Sequence, residues 1–176
     1  DAREKGKNLP FPIPRGPGQT WVQLKLVILS VGRPKSPLYK NGIEEYHRRI
    51  GSCVQFQWEP VRSSGGKSSE ASLREEGAAI LKKINDRDFL ALLDNSGDRF
   101  TSEGFSRWLF ERLRSTSGRV ILCVGGPFGV SRAVKARADV MVSLSPMTLT
   151  HDMSLLILFE QVYRAIAIEK GTGYHH

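Results

Sequence analysis

Apolar and polar positions along the chain fall into alternating blocks of two kinds. WVQLKLVILSV (21–31) is an almost continuous apolar run rich in β-branched residues and predicts a buried strand, whereas PLYKNGIEEYHRRI (37–50) carries Leu38, Ile43, Tyr46 and Ile50 at near-helical spacing. CVQFQWEPV (53–61) alternates with period two, the pattern of a second strand. A polar, glycine-rich loop, RSSGGKSS, leads into a helical pattern holding Leu73, Ala78, Ile80, Leu81 and Ile84, whose start offers Ser72 and Glu75 as a capping box. DFLALLD (88–94) predicts a third strand ending at Asp94, and NSGDRF (95–100) predicts a turn. Phe105, Trp108, Leu109 and Leu113 then share one helical face, GRVILCV is a fourth strand, SRAVKARA a short helix and DVMVSLS a fifth strand. A closing helix runs from about His151 to Lys170.

Alternation of strands with helices, together with strands that are apolar throughout, predicts an α/β fold: a mostly parallel sheet with helices on both faces. Residues 1–20 hold four of the nine prolines and predict a flexible extension, leaving 21–176 as one domain. No internal repeat is visible. The longest apolar stretch, MSLLILF (153–159), is too short to span a membrane. The closing helix is apolar almost all round, which suits either a buried core helix or a subunit interface.

Charge narrows the choice of partner. Lys and Arg outnumber Asp and Glu by 26 to 18, a formal net charge of +8, which favours a polyanion such as nucleic acid. Between 107 and 137 the imbalance sharpens: Arg107, Arg112, Arg114, Arg119, Arg132, Lys135 and Arg137 face only Glu111, a stripe suited to a phosphate backbone. Cys53 and Cys123 sit in separate apolar segments and read as reduced core residues, and no Cys/His set has metal-ligand spacing. No metal site is expected.

In a parallel sheet, ligands bind in the loops beyond the strands' carboxyl ends. Three such loops stand out: LLDNSGD, VGGPFG (124–129) and LSPMTLTHDM (144–153). VGGPFG is either a tight turn or a ligand cradle. It lacks the spacing of a dinucleotide fingerprint and the Gly-Lys-Ser/Thr of a phosphate loop, and Pro127 removes a backbone donor, so a bound adenine or ribose suits it better than a triphosphate. No serine occupies a nucleophile elbow, and the pairs Glu44/Glu45 and Glu75/Glu76 read as solvated helix surface. Hydrolytic chemistry is therefore disfavoured.

The order VGGPFG, VSLSPMTLTH, EQVYRA and a terminal YHH, reaching back through LLDNSGD to LKLVILSVG, resembles the ribosomal RNA large-subunit methyltransferase H family of the SPOUT class over about 24–176. The resemblance implies a homodimer with a deep C-terminal trefoil knot that binds S-adenosylmethionine and methylates N3 of a pseudouridine in the helix 69 loop of large-subunit rRNA within the ribosome. It implies cofactor contacts from Leu93, Gly125, Gly126 and the run Leu144, Ser145, Pro146, Met147, Thr148 and Leu149. For the target base it points to Arg164, Tyr174, His175 and His151, with a neutral histidine as proton acceptor. A sulfonium cofactor is already activated, which agrees with the lack of a covalent nucleophile. The proline-rich start and the non-methionine first residue suit an organelle protein that has lost a presequence; a bacterial homologue would be cytoplasmic. Two other readings make different predictions: a catalytically silent RNA-binding module on the same fold, and a small-molecule enzyme whose charge is incidental.

Overall fold

The computed structural model describes residues 24–65 and 69–175, the side chain of His175 excepted. The expected extension over 1–20 lies outside them. Strands β1 (Lys25–Val31), β2 (Gln55–Val61), β3 (Phe89–Arg99), β4 (Val120–Val124) and β5 (Val140–Ser143) form one sheet in the order β2-β1-β4-β3-β5, and every neighbouring pair is parallel. Between them run α1 (Pro37–Gly51), α2 (Ser69–Leu81), α3 (Ser102–Ser115) and α4 (Arg132–Arg137), and α5 (His151–Glu169) closes the fold.

Burial follows strand position. β4 is buried at every residue and β1 at all but Lys25, because both have neighbours on each side and helices on each face. β2, whose sequence alternates, is an edge strand and therefore tolerates Pro60, which has no N–H to give to a ladder. Leu26, Ile28, Val120, Leu122 and Val124 point to the face carrying α1, α3 and α5; Val27, Leu29, Ile121 and Cys123 point to the other, under Ile80 of α2 and Val134 of α4. None of the α5 residues is fully exposed, since the helix lies against both α1 and α3. Burial pushes the Cys123 thiol up to about 12, so native Cys123 is expected to resist iodoacetamide and to alkylate only on unfolding, as peptide mass spectrometry would show.

Three expectations from sequence are corrected. NSGDRF is not a turn that ends the third strand: β3 continues to Arg99, and Leu93 and Asp98 both pair with Val142, so residues 94–97 step out as a bulge. The turn chemistry is real but local, with the Asp94 carboxylate accepting from the Ser96 N–H at 2.9 Å and its hydroxyl at 2.6 Å. Ser72 and Glu75 do not begin a helix, because α2 starts at Ser69 and Ser72 is buried inside it. Glu76 is not solvated surface either: it is 4% exposed.

At the amino edge of the sheet a polar clamp joins the strand starts. The Arg119 guanidinium donates to Asp88 at 2.7 Å, to Glu59 at 3.1 Å and to the Lys83 carbonyl at 2.7 Å, while the Arg119 and Asn85 backbone N–H groups donate to the same Asp88 carboxylate. Arg137 donates to the carbonyls of Asn85 and Asp88. Burial alone would raise the Asp88 carboxyl; the Arg119 and backbone hydrogen bonds outweigh it and hold the group below its ordinary range.

Candidate functional site

At the opposite, carboxyl edge, three loops converge on one cleft of about 740 Å3. Its walls come from Leu93–Asn95 at the β3 bulge, from the loop after β4, and from the segment after β5 into the first turn of α5, with Tyr39 of α1 alongside. Two helices begin here with ordinary caps. The Ser131 hydroxyl accepts from the Val134 N–H at 3.3 Å and starts α4; the Thr150 hydroxyl accepts from the Met153 N–H, also at 3.3 Å, and starts α5.

The cleft brings together Leu93, Gly125, Gly126, Leu144, Ser145, Met147, Thr148, Leu149 and His151; Pro146 lies in the same loop without lining it. His151 ties two walls together through a 2.8 Å hydrogen bond between Nδ1 and the Gly125 carbonyl. A carbonyl only accepts, so Nδ1 carries the proton, and a neutral ring then leaves its lone pair on Nε2. That Nε2 is buried without a hydrogen-bond partner.

The glycine stretch is a tight turn, as one of its two sequence readings has it. Gly126 and Gly129 exchange backbone hydrogen bonds of 3.1 and 2.9 Å across Pro127 and Phe128, closing a tight turn, and Gly129 supplies the left-handed φ of +81°. The same turn walls the cleft. At Gly126 the protein itself leaves little room: a Cβ there would sit 2.7 Å from Oε2 of buried Glu76 and 3.3 Å from Cγ1 of Val31. Glu76 Oε1 accepts from the Ser64 N–H and hydroxyl, both at 2.9 Å, and so couples the loop after β2 to the glycine turn.

Asp94 lines the cleft and was not singled out as a site residue from sequence. Hydrogen bonds from Ser96, then the 3.1 Å pair with Lys135, hold its carboxyl at about 2 against an ordinary 3.8, so it is anionic at neutral pH. Its one sequence signal is its place directly after Leu93.

Arg164 and Tyr174 lie elsewhere. Arg164 is thirteen residues beyond His151 on α5, about 20 Å along the axis at 1.5 Å per residue. There it pairs with Glu160 at 2.6 Å and stands 5.0 Å over the Tyr174 ring, which packs edge-on against Tyr163 at 4.8 Å. The Tyr174 hydroxyl meets that of Tyr46 at 3.2 Å, and burial pushes the phenol above its usual range. The tail up to Tyr174 is thus docked, and a 3₁₀ turn, Gly173–His175, ends the described chain. The basic stripe is dispersed as well. Arg119 and Arg137 serve the clamp at the amino edge, Arg107, Arg112 and Arg114 ride on α3, and Lys135 is paired with Asp94. Among the described residues no group of His, Cys, Asp and Glu could hold a metal, and no helix is long and apolar enough to cross a membrane.

Fold and cleft together define an open α/β sheet protein with a cleft beyond the carboxyl ends of its strands, where such sheets hold their ligands. A family model described as "Predicted SPOUT methyltransferase" matches residues 24–175. The chain belongs to the ribosomal RNA large-subunit methyltransferase H family of SPOUT methyltransferases. It is 36% identical over 155 residues to the "Ribosomal RNA large subunit methyltransferase H" of Cytophaga hutchinsonii, covering 87% of this chain and 100% of that protein. The protein of the same name from Anaeromyxobacter sp. is 40% identical over 156 residues, 86% of this chain and 99% of its own. Among solved structures, a probable methyltransferase from Bordetella pertussis aligns with TM-score 0.45 and 13% identity over 83% of this chain and 95% of that one. The SpoU methyltransferase AviRb of Streptomyces viridochromogenes, in complex with AdoMet, aligns with TM-score 0.41 and 15% identity over 87% and 60%.

Proposed function

We propose that this protein is an S-adenosylmethionine-dependent methyltransferase of large-subunit rRNA, acting on N3 of a pseudouridine in the helix 69 loop of the assembled ribosome. The observation that carries this reading is the convergence of Leu93, the glycine turn, Leu144, Ser145 and residues 147–149 on one cleft. Its volume falls within the roughly 300–1,000 Å3 typical of small-ligand sites. The residues suit the cofactor. Leu93, Leu144, Met147 and Leu149 offer apolar contact to an adenine. When bound, S-adenosylmethionine supplies a methyl group that needs no further activation.

The chain's own contribution is orientation and proton removal. The imide N3 of the target must lose its proton, and His151, with Nδ1 spent on the Gly125 carbonyl, has Nε2 free to accept it. Arg164, thirteen residues along α5, and the terminal turn that holds Tyr174 and His175 beside it are too far from His151 to join it within one chain. In a two-fold dimer they act from the partner, where a guanidinium stabilises the developing uracil anion and the tail meets the base. The partly exposed Met153, Leu156 and Ile157 of α5 provide the apolar contact such a dimer needs. Light scattering should give twice the chain mass. The C-terminal knot and an organelle location belong to the same reading.

Calorimetric titration with S-adenosylmethionine, S-adenosylhomocysteine and NAD tests the cofactor: the first two should saturate and NAD should not. Thr148→Trp fills the cleft from an exposed wall and should weaken S-adenosylmethionine at least about tenfold while moving Tm little. Unchanged affinity would put the cofactor elsewhere. Methyl transfer to ribosomes, located by primer extension, tests the substrate; affinity for ribosomes without transfer would instead mark a silent RNA-binding protein.

A further inference from the structure

Among the described residues the three most exposed large apolar side chains are Leu38 at 75%, Met147 at 74% and Phe128 at 55%. All three stand at the carboxyl edge around the cleft: Leu38 precedes Tyr39 of the wall, Met147 is in the wall, and Phe128 is the tip of the glycine turn between wall residues Pro127 and Gly129. Phe128 is the only aromatic of the three, and nothing in the fold needs it there. A solvent-facing turn tip favours polar residues, so the ring stands against the local preference.

The backbone beneath that ring is fixed. Both hydrogen bonds of the Gly126–Gly129 turn are formed, Pro127 has a restricted φ, and the Gly125 carbonyl is held by His151. At the same edge, Arg33, Lys35 and Arg62 on loops, Arg99 at the end of β3 and Arg132 at the start of α4 are all exposed and in no ion pair among the described residues. Acids share that edge: Asp98 near the end of β3, Glu70, Glu103 and Asp152 in the first turns of α2, α3 and α5, and Asp94, which Lys135 already engages. Arg132, four residues beyond the ring at the start of α4, is exposed and in no ion pair among the described residues, so a polyanion's phosphate has a cation to meet beside Phe128. The polyanion that also offers flat apolar faces is single-stranded nucleic acid, whose unpaired bases stack on aromatic rings.

We infer that Phe128 is a base-stacking residue: its ring receives an unpaired nucleobase beside the nucleotide that enters the cleft, while Arg132, four residues on at the start of α4, meets the adjoining phosphate. The inference rests on the RNA methyltransferase reading and adds to it a positioning residue that acts on the substrate without touching the cofactor.

Phe128→Ala, Phe128→Leu and Phe128→Tyr test it in the full chain, with unmethylated ribosomes as the probe. Sedimentation gives affinity, steady-state methyl transfer gives KM and kcat, and titration with S-adenosylmethionine and light scattering serve as controls. Stacking worth about 1–3 kcal/mol per base predicts that Ala raises KM and ribosome Kd by roughly 5- to 150-fold with kcat and cofactor affinity unchanged. Tyr should behave as wild type and Leu as Ala, because Leu keeps the apolar bulk and loses the flat face. Leu binding as well as Phe, loss of the dimer in any variant, or wild-type KM in the Ala variant would each overturn the inference and leave the methyltransferase reading intact. Ribosome binding without methyl transfer by the wild type would sink that reading while sedimentation still judged Phe128. A wild type that neither binds nor methylates would overturn both.

Discussion

Asp88→Ala is expected to lower Tm by roughly 6–12 °C, following a stability loss of about 3 kcal/mol. The side chain is 3% exposed and accepts from the Arg119 guanidinium and from two backbone N–H groups, so its removal leaves a half-buried cation and two part-buried donors without their acceptor. Arg119 keeps Glu59 at 3.1 Å and the Lys83 carbonyl, which is why the loss stays at the lower end of the range for buried pairs. Asp88→Asn retains one acceptor and should fall between. The sign of the pH dependence follows from the direction of the shifts. Asp88 and Asp94 both lie below their ordinary 3.8 when folded, so their stabilisation is complete above about pH 4 and fades as pH falls through the folded values, about 2 for Asp94. Urea unfolding of wild type and of Asp88→Ala between pH 2 and 7 should therefore converge at the acid end. A gap as wide at pH 2 as at pH 7 would mean that the carboxylate charge is not what the clamp uses.

His151→Asn is expected to cut kcat by about 10²- to 10⁴-fold, the usual worth of a positioned general base. The asparagine amide stands where Nδ1 stood and can still donate to the Gly125 carbonyl, so the two walls of the cleft stay tied and S-adenosylmethionine should bind with little change. What disappears is the Nε2 lone pair. Single-turnover methyl transfer with saturating cofactor separates the two roles of the ring. Normal transfer by the Asn variant would reduce His151 to a strut between Gly125 and α5, and proton removal would then fall to the tail.

The alternation of strands and helices was legible because the strand segments are apolar or, in β2, alternate with period two, and polar turns bound them; five strands and five helices stand close to where the pattern puts them. The cleft was legible for the same reason, since a parallel sheet delivers its loops to one edge. What the pattern could not express were partnerships across the chain. Glu76 reads as half of a solvated pair until Ser63 and Ser64, more than ten residues upstream, turn out to face it. Arg119 reads as part of a stripe until Asp88, thirty-one residues away, claims it. NSGDRF misled because a bulged strand and a true turn use the same residues, and only the return of Asp98 to Val142 tells them apart. Arg164 and His151 share a helix, and the rigidity of that helix keeps them apart.

The strand order has a consequence for how the protein comes into being. A chain emerging from its N-terminus has β2, β1, β4 and β3 once residue 124 is out, and can close a four-stranded sheet. β5 joins an outer edge afterwards, and α5 comes last to cover Leu26, Ile28, Ile43 and Leu122. Nascent chains stalled short of 151 would carry that greasy face bare, making them clients for chaperones and prone to clump. The cleft, with its third wall drawn from 144–154, is complete only once those residues are out, so a chain truncated before 144 would yield a partly folded body with nowhere to hold a ligand.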